Sequence, residues 1–176
     1  VVTEFLTYDL VVRLRTRGLR ADLLVANNVL AHVPDINDFV SACSMLLSDD
    51  GVATFEFPHL QELLAGSQFD TIYHEHYSYL SLVSVESVFS QAGLMVFDVE
   101  QLSTHGGSLR VYAQRSDSGI HETLPSVAAV RCLESDAGLA TPHVYSRLQV
   151  EADRIRDELR EFLLGARTSG RSVAAY

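Results

Sequence analysis

The chain has 176 residues, 47% of them hydrophobic, which is enough to bury the core of one domain and leave an appendage. It carries 13 Lys and Arg residues against 23 Asp and Glu residues, a formal net charge of -10, so a nucleic-acid partner is not expected. No apolar run approaches the roughly 20 residues that cross a bilayer, and no secretory signal is recognisable. We therefore expect a cytoplasmic protein without a membrane partner. The two cysteines lie far apart, which predicts buried free thiols.

The first predicted elements are a strand end, a helix and a buried strand. Residues 1–5 suggest the end of a strand, and residues 7–17 predict a helix that stops at Gly18. Because no initiating methionine and no capping sequence precede this helix, we expect the natural N-terminus to lie upstream. Residues 21–26 form an apolar run without alternation, which predicts a strand buried on both faces of a parallel sheet.

Polar residues that are candidates for a ligand-binding site follow this strand. Asn27 and Asn28 come directly after it, where open α/β sheets bind ligands, although plain turn residues would also suit the position. His32 lies in the same loop and is either a site residue or an ordinary surface or core histidine. Asp35 then caps a predicted helix that ends at residues 48–51.

The next strand, predicted for residues 51–58, completes a βαβ unit with parallel strands and a right-handed crossover. Ser84 is predicted to cap a later helix. Residues 94–101 and 108–114 then predict two antiparallel strands joined by a tight turn with a glycine pair. His105, beside that pair, either lines a site or only caps the turn.

Residues 69–80 (FDTIYHEHYSYL) contain two imidazoles, two carboxylates and three phenols. An extended strand would place His74 and His76 on one face, whereas a helical turn would gather Tyr73, His76 and Tyr77. The second geometry favours general-base chemistry. The His-Glu-His spacing differs from that of helical zinc sites, so no metal is expected here. A structural polar network is the alternative.

The last third of the chain shows a helical rather than a strand-forming sequence pattern over most of its length. Residues 124–139 look irregular or weakly helical, and a long helix with an apolar stripe follows Pro142. Such a stripe either docks onto its own domain, which is the commoner use, or forms a dimerising coil. Residues 171–176 predict the first strand of a further α/β domain.

Three motifs occur in order along the chain: His-Val-Pro within residues 26–35, Tyr-x-Glu-His within residues 69–76, and His-Gly-Gly within residues 104–110. Together they resemble the class I S-adenosylmethionine-dependent sugar C-methyltransferases, which act on nucleotide-linked keto-deoxysugars. The resemblance implies an α/β fold that holds the C-terminal half of a Rossmann-like methyltransferase sheet. It divides the chain into a partial methyltransferase domain (1–115), a long helical linker (116–169) and the start of a C-terminal α/β domain (170–176).

The resemblance also implies roles for individual residues. His76 would be the base that removes a proton next to the ketone, giving an enolate whose carbon attacks the methyl group. Glu75 would orient His76 or touch the sugar, and Tyr73 and His32 would hydrogen-bond its oxygens. Cofactor contacts would come from Glu4, Phe5, Asn27 and Asn28, and further substrate contacts from Tyr77 and His105. His74 lies outside the shared pattern and is expected to be structural.

The chain departs from this family in lacking its glycine-rich cofactor loop, its acidic ribose ligand and its zinc cysteines. We therefore expect zinc only in an N-terminal domain outside these residues, and we expect the chain by itself to be an inactive fragment with an unpaired sheet edge. The resulting hypothesis is an S-adenosylmethionine-dependent C-methyltransferase acting on a dTDP-linked 4-keto-deoxysugar. The alternatives are an O- or N-methyltransferase of the same fold and a non-catalytic binding module.

Overall fold

A computed structural model describes residues 1–175. Its strands are β1 (Ala21–Asn27), β2 (Leu47–Pro58), β3 (Leu94–Leu102) and β4 (Ser108–Arg115). Its α-helices are α1 (Tyr8–Thr16), α2 (Ile36–Leu46), α3 (Leu60–Ala65), α4 (Leu82–Gln91), α5 (Pro125–Asp136) and α6 (Pro142–Thr168). Short 3-10 turns occupy Phe69–Thr71 and Thr104–Gly106. Within these residues no helix combines the length and the apolarity that crossing a membrane requires.

The four strands form one mixed sheet in the order β1-β2-β4-β3. β1 and β2 are parallel, whereas β4 runs antiparallel to both β2 and β3. This confirms the predicted strand–helix–strand unit and the predicted antiparallel pair. Because Asn27 pairs with Glu56, β1 and β2 end at the same edge of the sheet. Polar residues that follow these two strands are therefore brought close together.

The core joins all four strands to α2, α4 and α5. At its centre Phe55 of β2 and Phe89 of α4 are fully buried, with ring centroids 4.8 Å apart. α5 contributes Val127 and Val130, so the stretch that looked irregular in the sequence is a helix packed in the core. It begins at Pro125, a residue that suits the first turn of a helix because no backbone N–H is needed there.

Side-chain caps explain several helix starts. The carboxylate of Asp35 accepts hydrogen bonds from the first amides of α2, as predicted. Thr7 caps α1, so the expectation of an uncapped first helix was wrong. α4 is capped by Ser81 rather than Ser84, because Ser84 takes the third helical position and completes a reciprocal capping box.

Three predicted strand features are corrected. Residues 1–7 form no strand, since they have no neighbouring strand to pair with among the described residues. β1 is buried on one face only: it is one of the two edge strands among the described residues, and Leu23 and Val25 are 63% and 59% exposed on its open face. β2 begins at Leu47, immediately after α2, and bulges alongside Ala21 before regular pairing resumes.

The C-terminal part also differs from expectation. Residues 171–175 form no strand, because no described strand lies beside them, and Tyr176 lies outside the described residues. The apolar stripe of α6 is half-buried towards its start, where Val144 and Leu148 line a groove together with residues of α3. Further along, Phe162 is 64% exposed, whereas Ala166 is 9% exposed and its carbonyl accepts a hydrogen bond from the amide of Arg171.

Both cysteines are free, as predicted. Cys43 is buried on α2, within the core. Cys132 is exposed, so the expectation that both thiols are buried was wrong. Cys132 lies between the buried residues Val130 and Glu134 of α5, and its side chain falls on the solvent face of that helix.

Candidate functional site

A cavity of about 550 Å³ opens beyond the carboxyl ends of β1 and β2. Its walls come from the loop after β1, from the connection between β2 and α4, and from the turn between β3 and β4. We call residues 59–81 the site connection. Five of the residues singled out in the sequence line the cavity: Asn28, His32, Tyr73, His76 and His105.

The site connection adopts a tight turn around its histidines. The backbone N–H of His76 donates to the carbonyl of Tyr73 over 3.1 Å, and the two rings lie with centroids 4.4 Å apart. Of the two local geometries considered from the sequence, a turn forms rather than an extended strand, and it brings together Tyr73 and His76 but leaves Tyr77 60% exposed. The next amide, of Tyr77, donates to the carbonyl of Ala31 over 2.9 Å. This bond ties the site connection to the loop after β1.

The hydrogen bonds of His76 determine its tautomer. Its Nδ1 lies 2.8 Å from the carbonyl oxygen of Thr71. Since a carbonyl oxygen can only accept, Nδ1 must carry the hydrogen, and Nε2 of the neutral ring keeps its lone pair. The half-buried ring lines the cavity. His76 can therefore take up a proton at Nε2 while Thr71 holds the ring in place.

His32 is held in the same way. Its Nδ1 lies 3.0 Å from the backbone carbonyl of Glu75, so it too donates through Nδ1 and leaves Nε2 free. The rings of His32 and His76 have centroids 4.7 Å apart and are inclined at 52°. Two imidazoles with free Nε2 atoms thus stand side by side at one wall of the cavity.

Asn28 contributes an unsatisfied acceptor. Its backbone has a φ of 54°, in the left-handed region that asparagine tolerates better than most residues. Its side-chain Oδ1 is buried and has no hydrogen-bond partner among the described residues. A buried polar atom left unpaired costs about 1–3 kcal/mol, which a ligand that donates a hydrogen bond would recover.

The other residues predicted for the site lie outside the cavity walls. Phe5 is 94% exposed, and Glu4 forms an exposed ion pair with Arg13 on α1. Asn27 is exposed at the end of β1, and Tyr77 is 60% exposed. The side chain of Glu75 is also exposed, although its backbone carbonyl holds His32. The roles proposed for these side chains stay predictions. His74 is exposed, next to the site but not in its walls.

The structure adds residues that the sequence did not single out. Thr71 acts through its backbone carbonyl, a group that every residue carries and that leaves no signal in a sequence. Gln68 also lines the cavity, and its Nε2 donates to the carbonyl of Gly106 over 2.8 Å. This bond joins the site connection to the β3–β4 turn, where His105 has a φ of 54°. A non-glycine residue in that conformation is held by its surroundings.

Charges near the cavity are largely neutralised. Glu56, at the end of β2, is buried and pairs with Arg110 of β4 over 2.7 Å. The hydrogen bond to Glu56 raises the pKa of the Arg110 guanidinium, so Arg110 keeps its positive charge. Among the described residues no Lys or Arg lines the cavity, and Asp70 supplies its one carboxylate. The site therefore presents imidazoles, a phenol and amides rather than fixed positive charge.

Comparison with known families defines the class of protein. Residues 7–99 match the family described as "Methyltransferase domain", which is more than half of the chain. The chain therefore belongs to the methyltransferase family, as its motifs predicted. Residues 103–176 match the family described as "C-methyltransferase C-terminal domain". The cavity lies within the first match and receives His105 from the second.

One relative is similar to nearly the whole chain. The chain is 39% identical over 161 residues to the C-methyltransferase NovU of Streptomyces niveus, covering 92% of this chain and 38% of that protein. The chain thus spans well under half the length of this relative.

Two solved structures are similar over part of the chain, with TM-scores below 0.5. One is magnesium protoporphyrin IX methyltransferase from Synechocystis PCC 6803, with a TM-score of 0.45, 17% identity, and coverage of 56% of this chain and 47% of that chain. The other is an O-methyltransferase from neocarzinostatin biosynthesis, with a TM-score of 0.45, 18% identity, and coverage of 59% and 37%.

Proposed function

We propose that the protein is an S-adenosylmethionine-dependent C-methyltransferase that acts on a dTDP-linked 4-keto-deoxysugar, with His76 as general base. Identity to a C-methyltransferase supports the reaction class. The observation that carries the proposal is His76 itself, held at the cavity wall with Nδ1 bound to Thr71 and Nε2 free. A C-methyltransferase needs such a base, whereas transfer to an oxygen or nitrogen that already has a lone pair needs it far less.

S-adenosylmethionine would supply an electrophilic methyl group on its sulfonium. Of the residues in the cavity wall, Asn28 fits this cofactor best. Its Oδ1 is buried without a partner at the carboxyl end of β1, and it can accept a hydrogen bond from an ammonium or hydroxyl group. Asn28 would therefore hold the cofactor at the strand ends where α/β proteins bind their ligands.

The chemistry of the acceptor follows from His76. A carbon next to a ketone becomes nucleophilic once it loses a proton. Nε2 of His76 takes that proton as the C–H electrons form the C=C bond of the enolate and the C=O π electrons move onto oxygen. Thr71 then stabilises the imidazolium, because the Nδ1–H bond to its carbonyl becomes charge-assisted. Donors that face the new negative charge on oxygen lower the barrier further. The hydroxyl of Tyr73 is the proposed donor to that oxygen, and Nε2 of His32 can accept a hydrogen bond from a sugar hydroxyl.

The charge of the cavity supports a neutral acceptor group. A sugar ring offers hydroxyl and keto oxygens, which match imidazoles, a phenol and the Gln68 amide. A diphosphate would call for Arg or Lys, and the cavity wall has none among the described residues. We therefore propose that the keto-sugar ring occupies this cavity while the nucleotide diphosphate lies outside it.

The test uses the protein with its natural ends, S-adenosylmethionine and a dTDP-4-keto-6-deoxyhexose in deuterated water. NMR and mass spectrometry should show a new carbon-bound methyl group and deuterium incorporation next to the ketone. His76→Gln should slow both by roughly 10²–10⁴-fold, the usual contribution of a general base. His74→Gln is the matched control and should leave both rates within about twofold, because His74 is exposed and lies outside the cavity wall.

Each other result points to a named alternative. Methyl transfer that survives His76→Gln, or that appears on oxygen or nitrogen, indicates an O- or N-methyltransferase. Cofactor binding with neither methyl gain nor exchange refutes this acceptor. A protein that does not bind S-adenosylmethionine would support a non-catalytic binding module.

A further inference from the structure

The site connection is a loop whose two ends meet. It leaves the sheet at His59, directly after β2, and returns at Leu80, just before α4. His59 and Leu80 form a parallel bridge, and the amide of Leu60 donates to the carbonyl of Leu80 over 2.9 Å. Everything between them, including Tyr73 and His76, is therefore carried on a segment that is closed at its two ends and tied to the loop after β1 by the Tyr77 amide.

A single carboxylate from another part of the chain forms hydrogen bonds at both ends of the site connection. Glu134 of α5 is 1% exposed, and its Oε1 lies 2.9 Å from Nε2 of His59, at the start of the site connection. Because a carboxylate only accepts, His59 donates through Nε2. At the end of the connection the amides of Leu82 and Val83, in the first turn of α4, also donate to Glu134.

The same carboxylate is well placed to stay ionised. Burial raises the pKa of Glu134, but its three hydrogen bonds outweigh burial and leave that pKa below the ordinary value. The N-terminus of α4 adds a favourable partial positive charge. One buried negative charge therefore gathers three donors from two segments that lie more than 20 residues apart in sequence.

We propose that Glu134 is a positioning residue for the proposed methyl transfer. It joins the two ends of the site connection and thereby keeps His76 at the cavity wall. Glu134 is absent from the cavity wall, so it acts through His59 and the start of α4 rather than on a substrate. It lies in the part of the chain that matches the C-methyltransferase C-terminal domain, whereas His76 lies in the part that matches the methyltransferase domain. The part that matches the C-methyltransferase C-terminal domain therefore helps to position the site in the part that matches the methyltransferase domain.

A neighbouring contact provides a matched control. Arg131 of α5 pairs with Glu86 of α4 over 2.6 Å at the surface, so this pair joins the same two helices as Glu134 does. Glu86→Gln removes that tie without touching the ends of the site connection. A purely structural role for Glu134 would make the two variants differ only in the amount of stability lost.

The test reads the tautomer of His76 by ¹⁵N NMR of the imidazole rings, in the protein with its natural ends. In the wild type His76 should carry its hydrogen on Nδ1 alone. Glu134→Gln should mix in the other tautomer, because the ring no longer faces Thr71 steadily, and kcat should fall by roughly 10²-fold with little change in KM. Glu86→Gln should keep the single tautomer and the wild-type kcat.

A second pair of variants tests the positioning role of Glu134 if Glu134→Gln does not fold. His59→Leu frees the start of the site connection but leaves α4 capped by Glu134, so it should also mix the tautomers. His59→Gln keeps a side-chain N–H donor and should restore the single tautomer. A single wild-type tautomer in both Glu134→Gln and His59→Leu, or in His59→Leu alone where the first variant is unfolded, overturns the proposal. The tautomer signal does not depend on methyl transfer, so a wrong acceptor in the function proposal leaves this test intact.

Discussion

Replacing Gly107 with alanine measures how tightly the β3–β4 turn is held at the edge of the site. Gly107 has a φ of 118° and a ψ of 117°, a backbone conformation that side chains rarely allow. Its carbonyl accepts a hydrogen bond from the amide of His59 over 2.9 Å, which fixes the turn against the start of the site connection. The substitution therefore strains a contact on which the cavity depends.

Two effects add up in Gly107→Ala. The backbone conformation costs a non-glycine residue about 1–3 kcal/mol. A Cβ at this position would also lie 2.5 Å from Cγ and 2.7 Å from Cβ of Glu62. Since Cβ of Glu62 is fixed by α3, this overpacking adds about 1–3 kcal/mol. We expect the free energy of unfolding to fall by about 2–6 kcal/mol in total.

Gly119→Ala is the matched control for backbone strain alone. Gly119 has a φ of 65°, and a Cβ there would meet no atom within 4 Å. It should therefore lose only the about 1–2 kcal/mol of the left-handed conformation. Urea unfolding followed by circular dichroism gives both values. Equal losses in the two variants would show that the contact between Gly107 and Glu62 is not as tight as the structure has it.

Two further predictions follow from buried ionisable groups. Burial raises the pKa of the Cys43 thiol to about 12, so at pH 8 iodoacetamide should label exposed Cys132 and leave Cys43 unmodified until urea unfolds the protein. Labelling of both at one rate, measured by mass spectrometry, contradicts the packing of α2. For Glu134, whose folded pKa is lowered, the unfolded state binds more protons just below the ordinary glutamate pKa of about 4.3. The stability that Glu134 contributes is present above that pH and is lost as the pH falls through the folded pKa. In Glu134→Gln the urea concentration at the unfolding midpoint should therefore fall less steeply as the pH is lowered through the acid range. A pH dependence equal to that of the wild type would rule out this linkage.

Local elements were predictable where a few neighbouring residues decide the structure. Asp35 caps α2 because its carboxylate reaches amides two and three residues ahead. Gly106 and Gly107 mark the turn between β3 and β4 because both need positive φ. The prediction of Ser84 as a cap was wrong by three residues, since Ser81 and Ser84 both carry the hydroxyl that the capping box uses.

The site was predictable in part. Composition pointed to Tyr73 and His76, and the loop after a predicted strand pointed to His32, all of which meet in the cavity. Glu4 and Phe5 were expected at the site but lie on the exposed surface. Their position depends on what packs beside residues 1–7, which short-range patterns do not contain.

The sequence by itself determined the family, most of the helices and strands between residues 7 and 115, and the residues that could act as a base, because periodicity, caps and motifs are short-range properties. Only the tertiary structure decided that β4 lies between β2 and β3, that Thr71 and Glu75 fix the tautomers of His76 and His32, and that Glu134 joins the ends of the site connection. His59 and Glu134 lie 75 residues apart in sequence, and His32 and Glu75 lie 43 apart. These two contacts form only when the sheet has assembled. The contacts of His32 with Glu75 and of His76 with Thr71 use backbone carbonyls, which are the same in every residue.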